Sequence, residues 1–145
     1  MLNQAKRAYL AGFLDGDGSI YVRLKPNPSY RYGFQIAPYI VLFQSQKEQK
    51  KFKKLCSLIN LGYLRVRNDG ILEYTINKVD SLRKFLQMIK PFLILKKEQA
   101  NLMLKILNKK EIVKNKRDFI RLAALIDCFR NLNYSKKRKK HILTP

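Results

Sequence analysis

Acidic residues are scarce in this chain. Ten Asp and Glu stand against 31 Lys and Arg over 145 residues, a formal net charge of +21. Such an excess points to a polyanionic partner, nucleic acid ahead of an anionic membrane surface. Long apolar runs are also missing: none approaches the ~18 residues of a membrane span, and no signal-peptide pattern opens the chain, so no membrane association is expected. Cysteine is limited to Cys56 and Cys128. Both sit in helical apolar patterns without a C-x-x-C or a histidine partner, which reads as buried free thiols in a reducing compartment. The single histidine, His141, lies in a basic tail and reads as a surface residue. Apolar residues are not lacking. At 46% hydrophobic the chain is no disordered basic tail, and its length suits one domain with a real core.

The scarcity of acids makes the placement of two of them informative. Before Glu48 there are only Asp15 and Asp17, amid Lys6, Arg7, Arg23, Lys25, Arg31 and Lys47. They fall in the stretch Tyr9-Leu10-Ala11-Gly12-Phe13-Leu14-Asp15-Gly16-Asp17-Gly18-Ser19-Ile20, which reads as a helix giving way to a strand. The helix is expected from about Asn3 to Leu14, with Gly16 and Gly18 as exit residues. A helix C-terminus carries partial negative charge and disfavours carboxylates, so two of them there are costly unless a cation lies nearby. Ala5, Ala8 and Gly12 line one face at helical spacing and would let a second backbone approach closely. Packing within one subunit is the competing account of that stripe.

Further along, Ile20, Val22 and Leu24 alternate with Ser19, Tyr21, Arg23 and Lys25, a half-buried strand with a basic, aromatic outer face. Pro26-Asn27-Pro28-Ser29 forms a loop, and Arg31 to Gln44 continues as a second strand, with an edge position or bulge near Pro38. Ser45-Gln46-Lys47-Glu48 has the form of a capping box for a helix whose apolar Phe52, Leu55, Cys56 and Ile59 fall on one face. Its Lys50, Lys51, Lys53 and Lys54 make either a solvated face or a phosphate contact. A second strand pair follows: Leu64 and Val66 oppose Tyr63, Arg65 and Arg67, Asn68-Asp69-Gly70 signals the turn, and Leu72, Tyr74 and Ile76 oppose Ile71, Glu73 and Thr75. Helices are expected from Val79 to Lys90, after Lys97, and as one piece from Lys116 to Asn131. The resulting order is α-β-β-α-β-β-α with extra helix at the end. The tail Lys136-Lys137-Arg138-Lys139-Lys140 has no apolar period.

The segment Leu10-Ala11-Gly12-Phe13-Leu14-Asp15-Gly16-Asp17-Gly18 resembles the LAGLIDADG homing endonuclease signature, with conservative changes at three positions. The likeness extends to Ser45-Gln46-Lys47, to Pro91 through Leu102 and to the order of elements. No second copy of the motif exists in the chain, so it resembles the single-motif members, which act as homodimers. The resemblance implies an α+β fold, αββαββα, with an antiparallel saddle-like sheet on DNA and helices packed behind. It assigns residues 1–133 to the endonuclease domain and 134–145 to a basic tail. It further implies a site-specific double-strand endonuclease with Mg²⁺ as cofactor, Mn²⁺ or Ca²⁺ replacing it for binding. The target would be a long pseudo-palindromic site cut to short 3′ overhangs, promoting intron mobility. An organelle, chloroplast or mitochondrion, or a prokaryotic cytoplasm would be its compartment.

Residue by residue, the same resemblance makes Asp17 the metal ligand with the Gly16 carbonyl as co-ligand, and Asp15 a helix-end residue of lesser catalytic weight. Gln46 and Lys96 would place water and stabilise charge, and Lys50 stands where relatives carry Arg. The dimer face would comprise Ala5, Ala8, Tyr9, Gly12, Phe13 and Gly16. The chemistry agrees, since hard oxygen ligands without His or Cys suit Mg²⁺. The two hairpins suit a DNA major groove. Ser19, Tyr21, Arg23, Lys25, Asn27, Ser29, Tyr30, Gln35, Arg65, Arg67, Glu73 and Thr75 are the candidate DNA contacts, with Lys136, Lys137, Arg138, Lys139 and Lys140 of the tail.

Several rivals fit less well. An EF-hand is excluded, because position twelve counted from Asp15 is Pro26 instead of Glu. Glu48-Gln49-Lys50 imitates the E-x-K of another nuclease class, but a capping role explains Glu48 better. A ribosomal-type RNA-binding protein explains the charge and not the paired acids. The main alternative is a non-cleaving intron maturase or DNA- or RNA-binding module on the same fold, with intron RNA as a partner.

Overall fold

The computed structural model describes residues 2–133; the lysine-rich stretch from Lys136 to Lys140 and His141 lie outside them. The elements run α1 (Gln4–Asp17), β1 (Gly18–Pro26), β2 (Phe34–Ser45), α2 (Gln49–Ile59), β3 (Tyr63–Val66), β4 (Ile71–Ile76), α3 (Val79–Ile89), α4 (Lys97–Lys110), α5 (Lys116–Asp127) and α6 (Phe129–Leu132). Short 3₁₀ turns at Gln46–Glu48 and Lys90–Phe92 precede α2 and follow α3. The strands form one four-stranded antiparallel sheet in the order β1-β2-β4-β3. The expected α+β order is therefore the observed one.

Helix α1 starts where Asn3 caps it, its Oδ1 accepting the Lys6 N–H at 2.9 Å. It does not stop at Leu14. It continues through Gly16 to Asp17, and Gly18 ends it in an extended conformation instead of a left-handed one. The Gly18 N–H closes the last turn on the Leu14 carbonyl. A Cβ at Gly18 would lie 2.9 Å from the Leu14 Cα and carbonyl oxygen, so only glycine lets the chain turn from helix into strand here.

Other expectations also need correction. The second strand begins at Phe34, because Arg31 to Gly33 belong to the connecting turn. The capping box does not close: Ser45 Oγ accepts from Lys47 N–H at 3.3 Å, and Glu48 pairs with Lys51 at 3.5 Å. A 3₁₀ turn has taken the place of the first helical turn, which moves the donors out of reach. The final helix breaks at Cys128 into α5 and α6, and that cysteine is exposed while Cys56 is buried. Val66, on the outer strand, is exposed as well. Pro38 does not lie on an edge strand as expected, since β2 runs between β1 and β4, but it falls outside the pairing with β4. The β2·β4 register starts at Ile40↔Ile76 and ends at Ser45↔Ile71, so the missing N–H of Pro38 costs no bond to β4.

The chain forms two interleaved compact units, one from the residues up to Ile20 with Tyr39–Lys97, the other from Tyr21–Pro38 with the described residues from Glu98 onward. In the first, α1 packs on α3, and Leu10, Ala11, Leu14, Leu82, Phe85, Leu86 and Ile89 are buried. Ile40, Leu42, Leu72, Tyr74 and Ile76 of the strands are buried there too, as are Phe52, Cys56 and Ile59 of α2. Each of the buried Leu, Ile and Phe side chains contributes about 1.5–3 kcal/mol relative to exposure. The Tyr74 hydroxyl accepts the N–H groups of Leu61 and Gly62 at 2.9 and 2.7 Å, and burial raises its pKa. Burial likewise pushes the Cys56 thiol up to about 11, so it stays protonated and inert at neutral pH. In the second unit Val22, Leu24, Ala37, Ala100, Met103, Ile106, Leu107, Leu122 and Phe129 are buried, and the Gln99 amide donates to Leu132 O at 3.1 Å.

Candidate active site

The two acids that the sequence sets side by side have different surroundings. Asp15 is half-buried and fully engaged. Its Oδ2 accepts the N–H groups of Ile94 and Leu95 at 2.8 and 3.1 Å, and its Oδ1 accepts that of Lys96 at 3.0 Å. Three successive backbone donors thus close on one carboxylate just before α4. The Lys96 ammonium in turn donates to the Asp15 carbonyl at 2.7 Å. That carbonyl belongs to the last turn of α1, which has no helical N–H to satisfy it. A cation there also offsets the negative end of the helix. The cost foreseen for paired acids at a helix end is thereby met for Asp15 by the protein itself.

Asp17 has no such partners. It is the last residue of α1, exposed, and no described group bonds its carboxylate. Gly16, beside it in the same turn, is exposed too. Asp15 is therefore a tether and Asp17 a free carboxylate. We expect Asp15→Ala to lower stability by about 1–3 kcal/mol, since charged hydrogen bonds are removed and three N–H groups are left to solvent. Thermal unfolding should show it as a Tm lower by several degrees; an unchanged Tm would contradict the tether.

Gln46 lies at the β3–β4 turn, where its backbone N–H donates to Gly70 O at 2.9 Å. Its side-chain oxygen is the nearest atom to a Cβ built on Gly70, at 3.7 Å. Lys50 is exposed on α2 with Lys51, Lys53 and Lys54.

The hairpins carry the remaining candidates unequally. On β1, Ser19, Tyr21 and Lys25 are half-buried and Arg23 is exposed. Asn27 and Ser29 shape their loop: Asn27 Oδ1 accepts both the N–H and the hydroxyl of Ser29, at 3.0 and 2.7 Å. Tyr30 is exposed and Gln35 half-buried. In the second hairpin Arg65 and Glu73 are cross-strand partners 3.7 Å apart, and Arg67 reaches Glu73 at 3.4 Å and Asp69 at 2.6 Å. Thr75 is a correction. It is buried, because β4 is an inner strand and Thr75 sits between Val41 and Tyr63, so it offers no contact surface.

A family model for LAGLIDADG endonucleases matches residues 10–108. The chain belongs to the LAGLIDADG endonuclease family. It is 41% identical over 135 residues to the DNA endonuclease I-CreI of Chlamydomonas reinhardtii, covering 90% of this chain and 80% of that one. It is 32% identical over 136 residues to the DNA endonuclease I-CvuI of Chlorella vulgaris, covering 94% and 84%. The crystal structure of I-CvuI with the I-CreI target and Mg, its DNA not cleaved, aligns with a TM-score of 0.88 at 32% identity, over 94% of this chain and 87% of that one. A second I-CvuI structure, with its own target and Ca, aligns at 0.86.

The motif of this LAGLIDADG chain spans the end of one helix, and among the described residues the outer face of that helix is open. Ala5, Ala8, Tyr9, Gly12 and Gly16 are all exposed, and Phe13 is half-buried. A Cβ on Gly12 or Gly16 would meet nothing within 4 Å. Among the described residues the stripe therefore does no packing within the subunit, which leaves that account of it without support. Phe13 stacks on Phe52 of α2 at 5.9 Å, and Tyr9 lies 6.4 Å from Phe13 and is 60% exposed. Sequence reasoning missed the Asp15 tether to residues 94–96. The only local hint was that a carboxylate at a helix end needs donors from elsewhere.

Proposed function

We propose that this chain is a site-specific double-strand DNA endonuclease acting as a homodimer. Asp17 carries the reading: an exposed, unbonded carboxylate at the end of a helix, in a chain of net charge +21. It lies two residues from Asp15, the carboxylate that the protein holds for its own structure. Among the described residues no group of three or more His, Cys, Asp or Glu clusters to hold a metal ion. A cation at Asp17 would thus draw on that carboxylate, the Gly16 carbonyl, and oxygens of water and the scissile phosphate, a hard-oxygen set that fits Mg²⁺. When bound it would polarise the phosphate and lower the pKa of an attacking water.

The rest of the chemistry falls to the chain's own groups. Lys96, whose ammonium is held at the Asp15 carbonyl, would offset the charge that develops on the phosphate oxygens. Gln46 and Lys50 are proposed as outer residues of the same site, positioning water and phosphate. Arg23, Arg65 and Arg67, with Tyr21 and Lys25, would contact DNA from the two hairpins. The tail beyond residue 133 is proposed as a phosphate contact outside the endonuclease domain.

Selection of cleaved sites from a randomised DNA library with Mg²⁺ tests this directly. The expected outcome is one long, roughly two-fold symmetric site, because an isologous dimer presents the same reading surface twice. Binding to it should weaken steeply with salt, by a log–log slope of about −0.9 per neutralised phosphate. A flat salt dependence, or a strongly asymmetric site, would contradict the proposal.

A further inference from the structure

The loop between β1 and β2 is built on its own contacts. Asn27 N–H donates to Gly33 O at 2.8 Å, Tyr30 N–H to Asn27 O at 3.1 Å, and Gly33 N–H to Tyr30 O at 3.0 Å. Gly33 closes it with φ +80°, a conformation that favours glycine. Beside the loop stands a column of flat groups. Tyr32 stacks on Phe119 of α5 with ring centroids 5.0 Å apart and planes 24° from parallel. The guanidinium carbon of Arg31 lies 5.4 Å from the Tyr32 centroid. A guanidinium laid over a ring is held by cation–π attraction, while its N–H fork stays available at the edge.

Arg31 is exposed and borders a concavity of about 310 Å³. Lys110, at the end of α4, lines it together with Tyr30 and Gln35, and no acidic side chain among the described residues does. The second hairpin is built the other way, with Arg65 and Arg67 held by Glu73 and Asp69. Two cations facing one concavity with no carboxylate between them suit a singly charged phosphodiester, which accepts a guanidinium fork and an ammonium together.

We propose that this concavity binds a backbone phosphate of the DNA, gripped by Arg31 and Lys110, with the Tyr32 and Phe119 rings holding Arg31 in position. The proposal rests on the endonuclease reading and adds a source of affinity and register that carries no sequence information.

The test is binding of the selected target by the full chain in Ca²⁺, followed across NaCl concentrations. Arg31→Gln and Lys110→Gln combined should flatten the log–log slope by about 0.9 for the phosphate no longer neutralised, hence about 1.8 in a two-copy complex, and each alone by part of that. Tyr32→Leu should flatten it as Arg31→Gln does. Tyr32→Phe should leave it intact: among the described residues the buried Tyr32 hydroxyl has no hydrogen-bond partner, so its removal breaks no bond there. Repeating the site selection with Arg31→Gln should return the same target sequence. Unchanged slopes for Arg31→Gln and Lys110→Gln in a protein that otherwise binds steeply would overturn the phosphate site. So would a changed base preference, and an unchanged slope for Tyr32→Leu would overturn the role of the ring. Failure of the unaltered protein to bind DNA at all would sink the endonuclease reading instead.

Discussion

Replacing Asp17 by Asn should abolish cutting and leave DNA binding as tight as before, or tighter. The two effects separate because they come from different groups. Asp17 is a single exposed carboxylate with no internal partner among the described residues, so neutralising it removes no bond of the fold. Facing a phosphate, it is also a repulsion, and its loss favours the complex. Affinity rests on many cations, 31 Lys and Arg against ten acids, and one charge fewer on the acidic side alters it little. Cutting is another matter. Losing the anionic ligand that would hold the cation at the scissile phosphate should slow hydrolysis by roughly 10³-fold or more. Lys96→Ala should slow it by roughly 10²-fold, with some loss of stability, since its ammonium also closes the end of α1. The measurements are binding in Ca²⁺ and single-turnover cutting in Mg²⁺ of one selected site, with thermal unfolding alongside. Asp17→Asn should unfold like the unaltered protein, in contrast to Asp15→Ala. If Asp17→Asn still cuts at the normal rate, the endonuclease reading fails and a non-cutting nucleic-acid-binding role replaces it.

Gly12→Arg should give a folded monomer that no longer cuts both strands. Gly12 lies mid-way along the open face of α1, and a Cβ there meets nothing within 4 Å, so one chain accommodates the longer side chain in solvent. Two copies cannot. Helices pair closely only where side chains are small, and an arginine from each copy at the crossing would add bulk and like charge together. The motif occurs once in this chain, so one copy supplies one Asp17, whereas cutting two strands needs two. Sedimentation should show a dimer for the unaltered protein and a monomer for Gly12→Arg, with the circular dichroism of the two alike. A monomer in the unaltered protein, or a Gly12→Arg dimer with normal cutting, would refute the proposed interface.

Much of the fold was legible because its signals are local. Alternation placed Ile20, Val22 and Leu24 inside, and the Asn68-Asp69-Gly70 turn marked the second hairpin. Helix ends were less legible. Gly16 is a poor helix residue, yet α1 runs through it, because Asp15 is gripped by residues some eighty positions further along. The fate of Ser45 was likewise decided by the Gln46–Gly70 backbone bond, which suits a 3₁₀ turn better than a capping box.

For the candidate site the division is the same. The sequence by itself determined the family, the charge that calls for a polyanion, and the helix that carries both acids, since composition and a contiguous motif are properties of the chain alone. Only the tertiary structure decided which acid is free. Asp15 and Asp17 stand two residues apart in the same basic stretch, and although the motif's resemblance assigns them different roles, composition and spacing do not say which one the protein bonds. The backbone of residues 94–96 does, because three N–H groups converge on Asp15 and leave Asp17 to solvent. Whether the small-residue stripe faces inward or outward was open for the same reason. It turned on where α3 and α2 pack against α1, a choice made by contacts between residues far apart in the chain.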